Sequence, residues 1–575
     1  MQELYFGIDL GTTNSKAAFL DYRELQEPKP TPLKLNQAIE KGTRRTWKHV
    51  PSVVLFERDG RTVFVGEYAR RYSVNFPDRS VRAVKRLMGK NWRHKVPGWS
   101  TPWTPQGISA IILKKIRSEA LESLHDTRDD LSSVTISVPA SFGSRQREAT
   151  IEAARLAGFS GKVALIDEPS AALMHYIHDR KEKGQEVDFA RLNRILVFDM
   201  GGGTLDVSLA QVEPRDGHLH LRVLSRSRYT ELAGTEFDLL LAAYVVQRLA
   251  AKGSRMPENP RDRKDVFRSI LFDVAEPLKR RMSDELTGYF NWGYVREGPP
   301  FDIDDPSRVG CTIVPREREL DTSEGAFEIP DLYVSFEHFE HVLEPFFKPE
   351  NPEENPQGIG TIYGPIYTVL KEAQLSKEDI DVVLMHGGMC ELLLIQVGLM
   401  NYFPASTLVT ASPDPMTSVA LGAALYQARD RQGSLMEVEE PALFESIFYE
   451  HEGGFALAVS KDQRVGEWGV LELPITRGTR RVRLRLHQGF DETDPLLTHD
   501  RDMRIELPET APDGYTIQLR WEVKPNRAVA FTWQDPTQGD TWQALVEVST
   551  GKRGAWYPED VRRAEADNVE SLEIL

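Results

Sequence analysis

Two distant stretches of the chain share one hydrophobic pattern. Residues 4–10 are nearly continuously apolar up to Asp9, a Gly-Thr-Thr-Asn turn follows at 11–14, and a second apolar run leaves from 15 to 20. Residues 195–209 repeat the form, with Asp199 ending the first run and Gly201-Gly202-Gly203-Thr204 as the turn. Short apolar runs bounded by glycine turns predict buried strands. Each stretch is therefore expected to be a hairpin, and the pair to be an internal duplication rather than a short-period repeat. Between and beyond them, 134–139 reads as a strand closed by Pro139, 145–157 as helix, 236–283 as helical, and 381–385 as a strand running into Gly387-Gly388. The stretch 287–331, rich in Gly, Pro, Asp and aromatics, predicts irregular structure or an inserted hairpin. Helix resumes at 335, pauses at 349–358 and continues to about 373.

After about residue 431 the pattern becomes strict alternation, as in Val482-Arg483-Leu484-Arg485-Leu486 and across 515–521. Alternation predicts half-buried antiparallel strands, hence a separate β domain. One short helix is expected after Pro558.

Composition narrows the class. A chain of 575 residues holds more than one core. Its 40% apolar and 27% charged fractions are ordinary for globular protein. No run of eighteen apolar residues occurs, and the first residues lack the basic and apolar regions of a signal peptide. Cys311 and Cys390 are the two cysteines, too few for a disulfide framework, which fits the cytoplasm. Neither lies in a Cys-x-x-Cys pair, which argues against structural zinc. A formal net charge of −16 repels a phosphate backbone and speaks against nucleic-acid binding. Arg480, Arg481, Arg483 and Arg485 are read as the solvated face of a strand. The aromatics Trp468, Phe490, Trp521, Phe531, Trp533, Trp542 and Trp556 are read mainly as β-domain packing.

The two turns carry the candidate chemistry. A polyphosphate needs backbone N–H donors at close range, which glycine and small residues allow. Gly11-Thr12-Thr13-Asn14 and Gly201-Gly202-Gly203-Thr204 supply two such loops, each behind a strand-end aspartate. Magnesium keeps several waters and meets one or two carboxylates, so Asp9 and Asp199, one from each half, suit a metal held between them. Either turn alone is weak evidence; two in the same grammar are specific.

The order of motifs resembles the DnaK-type seventy-kilodalton heat-shock chaperones of the actin-like ATPase superfamily. The segments 6–15 and 197–208 are similar to that family's two phosphate motifs, 138–140 with Gln146-Arg147 to its strand-and-helix switch, and 166–172 to its connecting motif. Residues 84–89 look like the segment bearing its catalytic lysine, and 233–238 follow its next landmark with changes that could slow closure. The resemblance covers about residues 3–430. It implies an α/β actin-like (ribonuclease H-like) two-lobed ATPase domain at 1–430, with lobes of about 1–190 and 191–430 and an insertion near 287–331. A linker at 431–440, a mostly antiparallel β-sandwich domain at 441–550 and a tail or short helix at 551–575 would follow.

By resemblance, Lys85, Glu168, Asp199 and Thr204 are the expected catalytic residues, and Asp9 and Asp199 the magnesium residues. ATP or ADP would be held by Gly11, Thr12, Thr13, Asn14, Gly201, Gly202, Gly203, Thr204, Gly234, Glu276, Lys279, Arg280, Ser283, Gly387, Gly388 and Asp414, with Asp206 joining the network. Glu391 stands where the family often has a base-stacking arginine, so nucleotide is expected to bind about 1–2 kcal/mol more weakly if stacking is not replaced. The linker lacks a leucine run, the interval between Thr479 and Val482 is too short for the family's hairpin, and the family's helical lid is expected to be missing. The expected function is a slow ATP-dependent chaperone that binds unfolded or extended polypeptide, served by a J-domain co-chaperone and a nucleotide exchange factor, without nucleic-acid or membrane partners. The alternatives are a regulatory or scaffold ATPase with one dedicated protein partner and, less favoured, a small-molecule kinase of the same superfold.

Overall fold

A computed structural model describes residues 4–575 except 24–27, 41, 101, 125–130, 186, 190, 217, 228–229, 231, 291–308, 349–359, 430–435, 440–442, 444, 452, 462, 490–491, 495–497, 525–526, 535–541 and 549–558. Its centre is a pair of mixed sheets with one shared topology. In the first, Leu4–Asp9 pairs antiparallel with Asn14–Asp21 on one side and parallel with Val134–Val138 on the other, which pairs in turn with Val163–Asp167. In the second, Arg194–Met200 pairs antiparallel with Leu205–Arg215 and parallel with Val382–His386, which pairs with Leu408–Ala411. The duplication expected from the two hairpins thus extends to whole sheets, an arrangement of the actin-like kind. Central strands are continuously apolar because helices cover both of their faces.

Two helices lie between the sheets, Glu168–Glu182 and Ser418–Gln427. They approach unusually closely: a Cβ on Gly422 would stand 1.8 Å from the Ala171 carbonyl oxygen. Gly7 does the same for the strand beneath, where a Cβ would lie 2.3 Å from the Ala424 nitrogen. Small residues at the crossing therefore set the spacing between the lobes, and with it the width of the cleft above.

The helical stretch expected at 236–283 is interrupted at 252–259, where Gly253 and Pro257 fall, and runs on past its expected end. Gly234–Ala251, Pro260–Ser269 and Glu276–Phe290 are helical, with a π-helical turn at Ile270–Ala275. The helix runs to Phe290, past the expected onset of irregular structure at 287, because apolar Leu278, Met282 and Leu286 continue its buried stripe. Beyond the undescribed 291–308, the same stretch forms nested hairpins: Gly310–Ile313 pairs with Leu332–Ser335, and Glu319–Thr322 with Gly325–Glu328.

The alternating region forms two four-stranded antiparallel sheets. One is ordered Gly454–Val459, Ser446–His451, Arg481–Gly489, Thr498–Glu506; the other Trp468–Pro474, Thr516–Val523, Val529–Gln534, Trp542–Val548. Phe531 and Trp533 lie in the core between them, whereas Trp468 is 59% exposed. Phe490, Trp556 and the Trp542 side chain fall outside the described residues. Arg481, Arg483 and Arg485 lie along an exposed strand face, paired with Glu506, Asp502 and Glu450. Residues Met436–Val438, within the expected linker, add a parallel strand to the edge of the second sheet beside His218–Arg226. The helix after Pro558 spans Glu559–Ser571 and returns to the first lobe, where buried Glu565 accepts hydrogen bonds from the Thr104 N–H and hydroxyl. Among the described residues no helix is long and apolar enough to cross a membrane.

If the crossing sets the lobe spacing, Gly422→Val must drive backbone from backbone. We expect it to destabilise the protein by about 3 kcal/mol or more, read as a lower midpoint in urea unfolding. A Gly422→Val protein with the parental midpoint would show that the crossing has slack.

Candidate functional site

Because the sheets are duplicates, the two central strands end at the same level, facing each other across the cleft. Asp9 and Asp199 occupy equivalent positions there, both buried. The glycine loops that follow touch across the gap: a Cβ on Gly202 would meet the Thr13 side chain at 2.1 Å, and one on Gly203 the Thr12 side chain at 2.2 Å. Only glycine allows this approach, which leaves the backbone of both loops facing one small space. The first loop is held from behind by the Ser52 hydroxyl, which donates to the Gly11 carbonyl at 2.7 Å, and by the Ser52 N–H on the Thr13 carbonyl at 2.8 Å. The second is held by the start of the Gly234–Ala251 helix, where the Thr235 N–H donates to the Gly202 carbonyl at 2.9 Å.

Around this space the carboxyl groups outnumber the cations. Lys85, on the short helical turn Val84–Leu87, is buried and hydrogen-bonds the Glu168 carboxylate at the start of its helix. Asp206 accepts from the Ser141 hydroxyl at 2.9 Å, a bond that bridges the lobes. Asp9 pairs with Lys16 at 2.8 Å and accepts from the Ser137 hydroxyl at 3.3 Å. Asp199 forms no ion pair among the described residues, and burial together with Asp9 pushes its carboxyl up to about 7. Burial and Asp199 push Asp206 up to about 6. Burial raises Glu168 against the pull of Lys85, with Asp199, Asp9 and Asp206 adding to the rise. Asp9 is held low despite its burial, because Lys16 and Lys85 lie beside it.

With all four carboxyl groups ionised, two ammonium groups would leave two negative charges uncompensated, which one divalent cation would balance. That imbalance fits magnesium. Among the described residues no three His, Cys, Asp or Glu side chains converge closely enough to ligate a metal directly. Asp9 and Asp199 therefore suit an ion held through its waters.

The other expected residues fall into two groups. Gly234 packs against the second loop, and a Cβ there would meet Gly202, Met389 and the Lys279 ammonium. Lys279 is committed to Asp238 at 2.8 Å and reaches the Gly234 carbonyl at 3.3 Å. Ser283 donates to the Glu391 carbonyl at 3.2 Å, joining the Glu276–Phe290 helix to the Gly388–Glu391 turn. Gly387 lies directly beside Asp199 and Met200. These residues form one wall of the cleft. Glu276 and Arg280 pair with each other at 2.7 Å along their own helix, leaving Arg280 mostly exposed at the rim. Asp414 faces Lys48 of the first lobe at 3.3 Å. Partial burial and Asp414 raise the Glu391 carboxyl, with Arg280 opposing.

Two residues of the cleft went unread in the sequence. Lys16 is the cross-strand partner of Asp9, a position found by counting across the four-residue turn. His386 is the parallel neighbour of Asp199 and is buried, with Nδ1 unpartnered among the described residues. Burial and Lys16 bring its imidazole down to about 4, so it is neutral at pH 7.

A third feature ties the site to the β domain. Asp167, immediately before Glu168, accepts hydrogen bonds from Arg147 and from Arg527, with Arg226 at 3.9 Å. Burial would raise its carboxyl, but Arg527, Arg147 and Arg226 together hold it far below the usual carboxylate range. Arg527 comes from the turn between Thr516–Val523 and Val529–Gln534, so this buried contact joins the two domains.

The raised carboxyl of Asp199 gives a pH prediction. Its folded value lies above its unfolded one, so its penalty is absent at acid pH, grows as pH rises above the unfolded value, and is complete above about 7. Without nucleotide or divalent ions, Asp199→Asn should stabilise the protein at pH 8 by on the order of 1–3 kcal/mol and far less at pH 4.5. Thermal melts at both values check this, and a variant less stable than the parent at pH 8 would refute the charge imbalance.

Residues 5–293 match the family model described as Hsp70 protein. The chain is 31% identical over 423 residues to the chaperone protein DnaK of Thermoplasma volcanium, covering 73% of this chain and 57% of that relative. The corresponding protein of Methanothermobacter thermautotrophicus is 31% identical over 425 residues, 74% of this chain and 59% of the relative. That of Picrophilus torridus is 32% identical over 424 residues, 73% of this chain and 57% of the relative. The matched part of the chain thus spans less than two thirds of these relatives' lengths. A duplicated sheet pair, facing strand-end aspartates, touching glycine loops and the family match over half the chain agree: the chain belongs to the Hsp70 family.

Proposed function

We propose that the chain is an ATP-hydrolysing chaperone in which the state of the nucleotide cleft sets how the β domain holds polypeptide. The observation that carries this reading is the buried Lys85–Glu168 pair between facing Asp9 and Asp199, with Asp167 of the same strand end gripped by the β domain's Arg527. The relatives' printed name, chaperone protein DnaK, supports the same assignment.

Hydrolysis of a terminal phosphate is mainly positioning and charge neutralisation. The amides of Gly11, Thr12, Thr13 and Asn14 and of Gly201, Gly202, Gly203 and Thr204 would cradle the phosphates. Lys85, its ammonium favoured by Glu168 and Asp9 against its burial, would meet the transferred phosphoryl group. Glu168 and Asp206 are buried carboxyls raised toward neutral pH, suited to orient an attacking water and to accept its proton. Magnesium, held through its waters by Asp9 and Asp199, would neutralise charge developing on the phosphates. Glu276, Lys279, Arg280, Ser283, Gly387, Gly388 and Asp414 would form the nucleoside side, with Glu391 supplying no stacking surface. For polypeptide, the edge strand Trp468–Pro474 presents exposed Trp468 and Val470, an apolar edge suited to an added strand. Co-chaperone and exchange-factor partners belong to this reading by family alone.

A second reading keeps the ATPase and replaces general clients with one dedicated protein. The tight turn between Trp468–Pro474 and Arg481–Gly489 favours it, since six residues leave no protruding loop to close over a peptide.

Single-turnover hydrolysis with and without a reduced, unfolded protein separates the two. Acceleration supports the chaperone, and indifference supports the dedicated partner. In either case Lys85→Ala should retain nucleotide binding and lose about 10²–10³ in turnover. Parental turnover by Lys85→Ala would overturn the site assignment.

A further inference from the structure

Where the two lobes meet the β domain, the charges around Asp167 do not balance. Arg147, Arg226 and Arg527 surround its one carboxylate, and all four residues are more than nine-tenths buried. Arg147 donates to one carboxylate oxygen at 2.5 Å, and the Arg527 Nη2 donates to the other at 3.1 Å. Arg226 stands 3.9 Å away, beyond hydrogen-bonding reach. The Arg527 Nη1 is buried and has no hydrogen-bond partner among the described residues. Glu372, the other acid acting on Arg226, is itself paired with Lys461.

A buried ion is tolerable when it is paired and hydrogen-bonded, and a guanidinium carries five N–H donors in a planar fork. Asp167 accepts from two of the three forks and compensates one of the three charges. What remains is donor capacity without an acceptor and positive charge without a counter-ion, both in a buried place. None of these residues belongs to the glycine loops, so the cluster is separate from the phosphate-binding face of the cleft.

We propose that this junction is an anion site, at which a small inorganic anion binds Arg226 and the free Nη1 of Arg527 beside Asp167. The forks suit an oxyanion such as inorganic phosphate and also admit chloride. Arg147 comes from the first lobe, Arg226 from the second and Arg527 from the β domain, so the anion draws three separate parts of the chain together. Seating of the β domain on the lobes then depends on the anion present.

The test is thermal melting of the full chain in potassium gluconate, an anion too bulky for a buried site, with phosphate or chloride titrated in at constant ionic strength. The parent, Arg226→Met, Arg527→Met and Lys85→Ala are compared. Phosphate also stabilises folded proteins by exclusion from their surface, an effect that all four share and that does not saturate. The saturable rise in melting temperature therefore reports the site. The parent should show it with phosphate, chloride or both, and the pattern between the two tells an oxyanion site from a halide site. Arg226→Met leaves the Arg527–Asp167 contact in place and should weaken the apparent anion affinity at least about tenfold, as should Arg527→Met. Lys85→Ala, altered only in the cleft, should respond as the parent does. No saturable rise in the parent with either anion would overturn the proposal. So would a rise that survives in Arg226→Met, or one lost in Lys85→Ala alone, which would put the anion in the nucleotide cleft. Should Arg226→Met fail to fold, Arg226→Gln, which keeps a polar side chain without the charge, carries the same comparison.

Discussion

Carboxyl groups crowded into a dry cleft repel one another, and much of this molecule can be read as the management of that repulsion. Asp9, Asp199, Asp206 and Glu168 are each at least nine-tenths buried, and two ammonium groups answer four acids. Such a cluster is costly unless it is protonated or joined by cations. The raised carboxyls of Asp199 and Asp206 show the first response, and the fit to a hydrated divalent ion shows the second. The fold makes the crowding unavoidable. Duplicated sheets bring two equivalent strand ends to one level, and the Ala171–Gly422 crossing holds them at a fixed spacing. Relaxing the repulsion by opening the cleft would break the Ser141–Asp206 bond and the Arg86 bond to the Gly203 carbonyl, both of which cross it. Bound nucleotide with its metal would thus do more than occupy a pocket; it would decide how firmly the lobes close.

The parts of this arrangement legible in the sequence are those written locally. An apolar run, a strand-end aspartate and a glycine turn fall within a dozen residues, and each local element forms where its pattern indicates. Lys16 was legible in principle, because a four-residue turn in a hairpin makes Asp9 and Lys16 partners by counting alone. It went unread because a lone lysine on a strand carries no pattern of its own. The helix running on to Phe290 was misjudged because Gly288 and the aromatics that follow suggest loop, whereas the buried stripe of Leu278, Met282 and Leu286 decides the outcome. The remaining features depend on residues far apart in the chain. Gly422 matters only because Ala171 lies against it, and Asp167 meets Arg527 across 360 positions. No periodicity encodes such encounters; they are set when the sheets stack and the β domain packs.

That last encounter bears on how the two domains inform each other. Three guanidinium groups converge on the one carboxylate of Asp167: Arg147 from the first lobe, Arg226 from the second and Arg527 from the β domain. The cluster therefore carries an excess of positive charge, and burial together with Arg147 brings Arg527 down to about 9. Arg527 is not fully satisfied by this contact, since its Nη1 has no hydrogen-bond partner among the described residues. Glu168 follows Asp167 directly at the turn from strand to helix, so a shift at one is carried to the other through a single peptide unit. Arg147 and Arg226 belong to different lobes, so the charge that Arg527 meets depends on how the lobes are placed. The same strand end thus carries both a buried acid of the cleft and the carboxylate on which the β domain is seated, one peptide unit apart.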